Sequence, residues 1–575
     1  MVRTCLALVF LLLLSPILSR AQNGKATDTY YQTSDVQPLQ VQFEADRGNL
    51  RRFYVIANAP ERRERFRELY NNYLGQLRQL DFDRMNTSSQ VDYILLKRTI
   101  DNELRLLDKE QNEYAAIENW LPFANELYSL EKQRRRGASM DGEKVARSFS
   151  SIVRQLKEQT QRLSSVKNME PELSARAAAS VRGLQAAAKS VYDFYYGYDP
   201  LFTWWVANPY ESLNTSLTAY AAALEAKATR STAAADDGSG IVGHPVGRDE
   251  ILRLLKYDFI PYTPEELVNI ANKEFAWCDS EMLRASREMG FGNDWKAALE
   301  KVKTTYVPPG KQPEMLLGLY NESVDFIKKN QLVTIPPLAE ETWRMTMMSP
   351  QQQLTSPFFL GGETLLIAYP TNTMDEDAKM MSMRGNNPHF SRATVHHELI
   401  AGHGLQQFMN SRYKPYRNYS TPFWTEGWSL YWEFILYDMG FAKSPEDRIG
   451  MLFWRMHRCA RIIFSLNYQL GNWTPQQCID FLVDRVGHER ANAEGEVRRS
   501  FTANYGPLYQ LAYMTGAFQF WALKKELVDT KKMTYRQLND AILKENNIPI
   551  ELTRAILTNQ KLSRDFSTGW RFYDK

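Results

Sequence analysis

Histidines cluster in one short part of the chain: four of the seven lie within fifteen residues, at His389, His396, His397 and His403. The stretch HHELIAGHGLQ, residues 396–406, places Glu398 directly after His397. A zinc peptidase needs three protein ligands for its metal and a carboxylate that accepts a proton from water. The pattern therefore indicates a metal site. The alternative is a histidine-rich helix, on the surface or in the core, that binds nothing.

The spacing of these histidines is unusual for such a site. In the common His-Glu-x-x-His motif a step of four residues puts both imidazoles on one helical face, whereas His403 follows His397 by six residues. On a regular helix, six residues separate two side chains by about 120° and about 9 Å along the axis, too far for one metal. We therefore expect the helix to widen or break between Glu398 and His403, where Gly402 would permit it.

A third ligand is expected on a second helix. The stretch FWTEGWSLYWE, residues 423–433, supplies Glu426 and Glu433, two turns apart on one face. Because about 10 Å separates their backbones, they cannot both bind one metal. One can be the ligand, while the other orients a ligating imidazole. The tryptophans of this stretch recur at steps of four and form a separate stripe, which we interpret as core: Trp424, Trp428 and Trp432.

The composition of the chain is that of a soluble globular protein, with 44 % hydrophobic and 24 % charged residues. Its formal net charge of +3 gives no indication of nucleic acid or an acidic membrane as a partner. Residues 1–21 combine Arg3, an apolar run and small residues at the end, which predicts a cleaved secretory signal peptide. We expect a secreted or periplasmic protein without a membrane span after cleavage; an uncleaved anchor is the alternative.

The pattern of apolar residues, at steps of three and four, predicts a mainly helical fold. The predicted organisation is an N-terminal helical region at 22–230, a linker or loop at 231–240 (STAAADDGSG), and a catalytic helical region at 241–575 that carries the metal site. Three helix starts are marked by Ser or Thr followed by Pro, in TPEE, SPEDR and TPQQ, at Thr263, Ser444 and Thr474.

One segment departs from the helical pattern. Residues 357–370 (PFFLGGETLLIAYP) contain two short apolar runs separated by Gly361 and Gly362, which predicts a β-hairpin near the metal site. An open strand edge beside a catalytic site could pair with an extended peptide. The alternative is a small sheet that only covers the core.

Four motifs, in order, resemble the bacterial family named domain of unknown function 885: HELIAGHG at 397, FWTEGWSLYWE at 423, GNWTPQQCI at 471 and PLYQLAYMTG at 507. Weaker similarity reaches back through GRDEILRLLKYDFIPYTPEEL at 247, so the resemblance covers most of the chain. Where the family has Pro and a second His, this chain has Ala401 and Gly404. The expected helix break therefore depends on Gly402 alone.

That family is similar to helical zincin peptidases, which implies a large multi-helix body with a deep cleft. By this likeness Glu426 is the third zinc ligand and Glu433 the acid that supports a ligating histidine. Tyr513 matches a family tyrosine and is the first candidate to stabilise the oxyanion; Tyr509 and Tyr505 lie on nearly the same helical face and could serve instead. His396, directly before the motif, is placed behind the ligands, where it could compensate for the missing second histidine.

The sequence thus predicts an exported zinc-dependent peptidase with one Zn²⁺ per chain. It would hydrolyse short peptides, with Glu398 as the general base. Two alternatives remain open at this point. The chain could be an exported helical peptide-binding protein that lost catalysis through the changes at Ala401 and Gly404, or a zinc hydrolase of a non-peptide amide. The sequence predicts neither a peptide preference nor an oligomeric state.

Overall fold

The computed structural model describes residues 33–228, 237–353, 356, 358–417, 419–502 and 505–573, and these are mainly helical, as predicted. The predicted signal peptide at 1–21 lies outside the described residues, and so does most of the predicted linker, at 231–236. Among the helices of the described ranges, none has an apolar stretch long enough to cross a membrane.

The elements of the first part of the chain are all helical. They are α1 (Gln37–Phe53), α2 (Pro60–Arg78), α3 (Thr87–Ile117), α4 (Ala124–Arg134), α5 (Gly142–Ser164), α6 (Pro171–Tyr195) and α7 (Pro200–Glu225).

The elements of the second part include two short strands. They are α8 (Arg248–Tyr257), α9 (Pro264–Glu288), α10 (Trp295–Lys303), α11 (Gln312–Lys329), α12 (Pro337–Thr342), β1 (Arg344–Met347), α13 (Pro350–Gln353), β2 (Thr364–Ile367), α14 (Glu376–Gly385), α15 (Pro388–Glu398), α16 (His403–Asn410), α17 (Pro422–Asp438), α18 (Pro445–Gln469), α19 (Pro475–Phe481), α20 (Arg490–Thr502), α21 (Tyr509–Lys524), α22 (Tyr535–Lys544) and α23 (Ile550–Leu557).

The predicted helix starts are confirmed, because each polar side chain caps its helix. Thr263 and Thr474 form reciprocal capping boxes at the starts of α9 and α19. Ser444 accepts a hydrogen bond from a backbone N–H group in the first turn of α18. These bonds use backbone donors that the helix itself leaves unpaired, which is why a local sequence signal was sufficient.

The chain divides into two compact units, Val36–Phe82 with Tyr93–Ala235, and Met1–Asp35 with Asp83–Asp92 and Asp236–Lys575. In the first, smaller unit α5 and α6 pack against α7, and α4 packs against α6, around an apolar core that includes Phe149, Val181, Phe202 and Leu217. That residues 22–230 and 241–575 form two separate regions stays a prediction.

In the larger unit α18 is a central helix, buried on most of its surface, that packs against α9, α15 and α21. Helix α17 packs extensively along α21. The two helices approach closely where Gly427 meets Gly516: a Cβ atom on Gly427 would lie 2.5 Å from the carbonyl carbon of Gly516. The predicted tryptophan stripe of α17 is core, because Trp424, Trp428 and Trp432 are fully buried.

The predicted hairpin is only partly present, whereas the prediction of a small sheet is confirmed. Strand β1 pairs with β2 in parallel, with Arg344 opposite Thr364. The two predicted runs meet in a single antiparallel bridge between Leu360 and Leu366. The hairpin prediction was wrong about the main pairing because the glycines between the runs do not close a tight turn. Their N–H groups donate to the side chain and the carbonyl of Glu398.

Candidate metal centre

The helix that carries the histidine motif is broken, as its six-residue spacing requires. Helix α15 ends at Glu398 and α16 begins at His403. Between them Leu399 has φ −110° and ψ −114°, and the Ile400–Ala401 peptide bond is cis. At Gly402 the chain passes so close to the preceding turn that a Cβ atom would lie 1.8 Å from the carbonyl oxygen of His397. Gly402 therefore permits the break, as predicted.

Hydrogen bonds hold this break in place. The Gly402 N–H group donates to the carbonyl of His396 at 2.8 Å, and the Gly404 N–H group donates to the carbonyl of Leu399 at 2.9 Å. From α17, the indole N–H of Trp428 donates to the carbonyl of Ala401 at 2.9 Å. A buried tryptophan thus satisfies a carbonyl that the broken helix leaves without an intrahelical partner.

The break brings His397 and His403 together with Glu426 of α17. One ligand atom from each of the three residues lies within 4.8 Å of the others, and all three side chains are buried. The Glu426 Oε2 atom is 3.2 Å from His403 Nε2 and 3.6 Å from His397 Nε2. The three residues form a group that could hold one metal ion. Because His403 is the third member of this group, the group does not need a histidine at position 404, where this chain has Gly404.

Electrostatics within this triad are dominated by burial and by the opposite charges. Burial alone would lower the pKa of His403, but the carboxylate of Glu426 outweighs it and raises that pKa to about 9. Burial would likewise raise the pKa of Glu426, and the adjacent imidazoles hold it well below its usual range. At neutral pH, His403 is therefore protonated when no cation is bound, and its proton supplies the positive charge beside Glu426.

Glu433 lies behind the triad. Its Oε1 atom is 2.7 Å from Nδ1 of His397 and 3.2 Å from the guanidinium of Arg458. Burial would raise the pKa of Glu433, but Arg458 and His397 lower it overall. The carboxylate is thus charged and close to the imidazole nitrogen that faces away from Glu426. Such an acid fixes the orientation of a ligating imidazole. The interaction with Arg458 was not predicted; the three-residue steps between Arg455, Arg458 and Arg461 were the available signal.

Glu398 ends α15 and is held from the segment before β2. Its Oε2 atom accepts a hydrogen bond from the Gly361 N–H group at 2.6 Å, and its carbonyl accepts from Gly362 at 2.9 Å. A Cβ atom on Gly361 would lie 2.3 Å from that of Glu398. This role of Gly361 was missed, because the sequence signal of two glycines was interpreted as a turn. Glu398 also contributes to the raised pKa of His403, after Glu426, so its charge is close to the triad.

The three candidate tyrosines lie in or before α21 at different depths. The hydroxyl of Tyr509 donates to Oε1 of Glu426, and the Tyr513 hydroxyl is 3.5 Å from that of Tyr509. The Tyr513 ring stacks on His397, with ring centroids 6.2 Å apart. Tyr505 is 37 % exposed, with its ring 4.2 Å from that of Tyr509. Both inner tyrosines therefore contact the triad, but Tyr509, rather than the first candidate Tyr513, places its hydroxyl on a triad residue.

Burial keeps these phenols protonated. It raises the pKa of Tyr513 to about 12, with a further contribution from the charge of Glu426. Burial and Glu426 also raise the pKa of Tyr509 far above its usual value. Both hydroxyl groups are therefore hydrogen-bond donors at neutral pH.

His396 lies in the core rather than in the triad. Its ring is 5.7 Å from that of Phe441, and neither ring nitrogen has a hydrogen-bond partner among the described residues. Burial lowers its pKa to about 3, so the ring is neutral. The other histidine of the cluster, His389, pairs with Asp447 at 2.7 Å. The role of His396 behind the ligands stays a prediction.

A cavity of about 400 Å³ opens beside the triad. Its wall includes Glu426 and Thr425 from α17, Tyr509 from α21, and Tyr505 and Pro507 from the segment before α21. The carboxylate of the triad and the tyrosine that contacts it therefore face a space large enough for part of a small ligand.

Comparisons with known proteins identify the family of the chain. The model of "Bacterial protein of unknown function (DUF885)" matches residues 57–557. "The structure of a putative lipoprotein of unknown function from Shewanella oneidensis" has a TM-score of 0.65 at 14 % identity, and the match covers 92 % of this chain and 100 % of that one. "The putative lipoprotein from Colwellia psychrerythraea" has a TM-score of 0.55 at 15 % identity, covering 92 % and 99 %. These two show a shared fold, and no curated protein matches. Because the family model matches residues 57–557 of 575, the chain belongs to the DUF885 family.

Proposed function

We propose that the protein is an exported zinc-dependent peptidase that hydrolyses short peptides. One observation carries this proposal: a buried group of two imidazoles and a carboxylate, with a second carboxylate, Glu398, held beside it. A zinc peptidase needs these components, namely three protein ligands and an acid that can accept a proton.

The donor set fits zinc. Two imidazole nitrogens and one carboxylate oxygen, from His397, His403 and Glu426, lie within 4.8 Å of one another, and zinc takes this set in catalytic sites that keep a position open. Glu433 supplies the outer partner that a ligating imidazole usually has. When bound there, zinc would supply a Lewis acid that polarises a carbonyl group and makes water easier to deprotonate.

The proposed base is Glu398. Its Oε2 atom is held by the Gly361 N–H group, which fixes the carboxylate at the end of α15. From that position Glu398 would accept a proton as water attacks the peptide carbonyl, and would then donate it to the leaving amine. The attack breaks the C–N bond of the substrate and leaves a carboxylic acid and an amine.

The tyrosines of α21 are the proposed oxyanion donors. The Tyr509 hydroxyl already contacts Glu426, and the Tyr513 hydroxyl follows it at 3.5 Å. Because both phenols remain protonated, either can donate a hydrogen bond to negative charge that develops on the substrate carbonyl. Tyr505 is placed to contact substrate, because it lines the cavity and is partly exposed.

Short peptides and an extracytoplasmic location complete the proposal. A cavity of about 400 Å³ beside Glu426, as part of the deep cleft of a zincin-like body, suits a few residues of an extended chain rather than a folded protein. The pattern of residues 1–21 predicts export, and the titles of two proteins of similar fold contain the word lipoprotein. We place this protein in the periplasm or among secreted proteins.

The test combines metal analysis with a digest. The purified protein should contain one zinc per chain, and it should cleave members of a pool of mixed pentapeptides, as detected by mass spectrometry. Chelation should stop cleavage, and added zinc should restore it. Zinc-loaded protein that binds the pool without cleaving any member would contradict the proposal and indicate a peptide-binding protein.

A further inference from the structure

Three arginines are buried next to the metal centre. They are Arg458 and Arg461 on α18 and Arg499 on α20, each with less than one-tenth of its surface exposed. The guanidinium groups of Arg461 and Arg458 lie 4.2 Å and 4.9 Å from the centre of the Tyr513 ring. The Tyr513 ring also stacks on His397. The same aromatic ring therefore contacts two of these cations and an imidazole of the triad.

Two carboxylates partly neutralise the three arginines. Arg461 donates to Glu496 at 2.7 Å, and Arg499 is 3.9 Å from the other oxygen of the same carboxylate. Arg458 is 3.2 Å from Glu433. In the described part of the chain this cluster holds one guanidinium more than it has carboxylates. A buried guanidinium without a carboxylate partner is unfavourable unless another anion compensates its charge.

The histidines beside Glu496 do not reverse this balance. His457 lies 3.8 Å from Glu496, and its Nδ1 is 2.9 Å from Nε2 of His488. Burial lowers the pKa of both rings, that of His488 to about 3. Both are neutral at pH 7, so they neither add a cation nor use up the carboxylate through an ion pair.

The arginines also retain unused donors. Within the described residues, no hydrogen-bond partner is present for Nε of Arg458, Nη1 of Arg461 or Nε of Arg499, and all three atoms are buried. A buried N–H group without an acceptor costs free energy, more so when it belongs to a charged group. These three N–H groups are therefore suited to donate hydrogen bonds to an acceptor atom of a ligand.

The cluster connects to the cavity through Tyr505. The Arg499 guanidinium donates to the Tyr505 hydroxyl at 3.3 Å. Tyr505 lines the same cavity of about 400 Å³ as Glu426. A small molecule in that cavity would contact Glu426 and Tyr505, and a group that displaces the Tyr505 hydroxyl would reach the Arg499 guanidinium.

We propose that Arg461 and Arg499 bind a carboxylate group of the substrate, with Arg458 adding positive charge behind Tyr513. A planar guanidinium matches a carboxylate with two parallel hydrogen bonds. This inference rests on the proposed function, because it names the feature by which that site would select a peptide. The carboxylate has two possible sources, the C-terminus of the peptide and an acidic side chain.

Binding, rather than cleavage, provides the test. The zinc-loaded Glu398→Gln variant is incubated with three pentapeptide pools, and bound peptides are quantified by equilibrium dialysis and mass spectrometry. The first pool has free C-termini and no acidic residues, the second is its C-terminal amide, and the third is the amide with one Asp or Glu per peptide. We expect the first or third pool to bind at least tenfold more tightly than the second. Preference for the first assigns the C-terminus, and preference for the third assigns a side chain.

Substitutions then assign the preference to the arginines. In the same background, Arg499→Gln and Arg461→Gln should each reduce it about tenfold or more, and Arg499→Lys should retain part of it. Arg455→Gln is the matched control. Arg455 is a partly buried arginine of the same helix with one carboxylate partner, Glu274 at 2.8 Å, but its guanidinium lies over the rings of Trp277 and Phe434, and the preference should survive its loss.

The outcomes separate this inference from the proposed function. Equal binding of all three pools by folded, zinc-loaded protein overturns the inference, and this measurement needs no arginine variant to fold. A preference that Arg461→Gln and Arg499→Gln both leave intact, with circular dichroism unchanged, also overturns it. Unmutated protein that cleaves no peptide, while the Glu398→Gln variant still prefers carboxylates, overturns the peptidase proposal alone and supports the carboxylate site.

Discussion

His397 Nδ1 and Glu433 Oε1 lie 2.7 Å apart, and both side chains are buried. The other ring nitrogen of His397 is directed to Glu426, with 3.6 Å between Nε2 and Oε2. One imidazole thus joins two carboxylates of α17 that are seven residues apart. The seven-residue step gives the two acids different places, because only Glu426 lies in the triad while Glu433 lies against the far side of the imidazole, where we expect it to set the position and basicity of the histidine.

Loss of this outer contact should weaken metal binding without removing a ligand. We expect Glu433→Gln to reduce zinc affinity about 10- to 100-fold, measured by competition with a chromophoric chelator. Glu274→Gln is the control, because Glu274 also pairs with an arginine of α18, Arg455, and has no ion pair with a histidine of the triad. Equal zinc affinity in Glu433→Gln and unmutated protein would show that the contact has no bearing on the metal.

The proposed base can be removed while its local hydrogen bond is retained. A glutamine at position 398 can still accept from the Gly361 N–H group, but it cannot take a proton from water. We expect Glu398→Gln to retain one zinc per chain and to lose peptide cleavage by about 100- to 10,000-fold. Zinc content is measured by elemental analysis and cleavage by mass spectrometry.

The control for Glu398→Gln is a substitution of an exposed acid on α14. Glu376→Gln removes the same charge from an exposed position of the larger unit, so its cleavage rate should equal that of unmutated protein. Full activity in Glu398→Gln would exclude Glu398 as the base, even if the zinc site proved correct.

The break between α15 and α16 makes a prediction about stability. A methyl group at position 402 would lie 1.8 Å from the carbonyl oxygen of His397, so the backbone must shift. We expect Gly402→Ala to cost about 3 kcal/mol or more of the free energy of unfolding and to lower zinc stoichiometry, because the shift separates His397 from His403. Urea denaturation and elemental analysis measure the two effects.

The same substitution at another glycine should act in the opposite direction. Gly318 lies in the interior of α11, is exposed, and has open space where a Cβ atom would be. Gly318→Ala should therefore stabilise the protein by about 0.5–1 kcal/mol. Equal effects of Gly402→Ala and Gly318→Ala would mean that the close approach at Gly402 does not constrain the break.

Much of the metal centre could be predicted from sequence because its rules are local. The rise and turn of a helix are fixed, so a six-residue step between His397 and His403 requires a break, and Gly402 is the residue of that step with the most backbone freedom. The same geometry assigns different roles to Glu426 and Glu433. The caps at Thr263 and Thr474 depend on residues three positions apart, which the sequence displays directly.

Other features depend on contacts between distant parts of the chain. Strand β1 has no strong strand signal of its own, and its pairing with β2 is visible only in three dimensions. Gly361 resembles a turn residue until Glu398 packs against it. Likewise, Arg455, Arg458 and Arg461 of α18 are spaced by three residues, yet nothing in that spacing places Arg499 of α20 beside them. Position 396 adjoins a ligand in sequence and points into the core in the structure, because adjacent helical residues face different directions.

The paired histidines behind the metal centre predict an acid sensitivity of the fold. Burial lowers the pKa of His488 to about 3, whereas an unfolded histidine titrates near 6.5. Between those values the unfolded chain binds more protons than the folded one, so stability is present above about pH 6.5 and is lost as the pH falls. His488→Gln should lower the slope of unfolding free energy against pH by about 1.4 kcal/mol per pH unit between pH 6 and 4.

This measurement uses chelator-treated protein, so that release of metal from the triad does not add to the slope. Urea denaturation at several pH values gives the slope for each variant. His244→Gln, at an exposed position, is the control and should leave the slope unchanged. If His488→Gln and unmutated protein lose stability in parallel, His488 binds its proton equally well in the folded and the unfolded protein. Burial would then not lower its pKa, and below about pH 6.5 the positive charge near Glu496 would include this histidine.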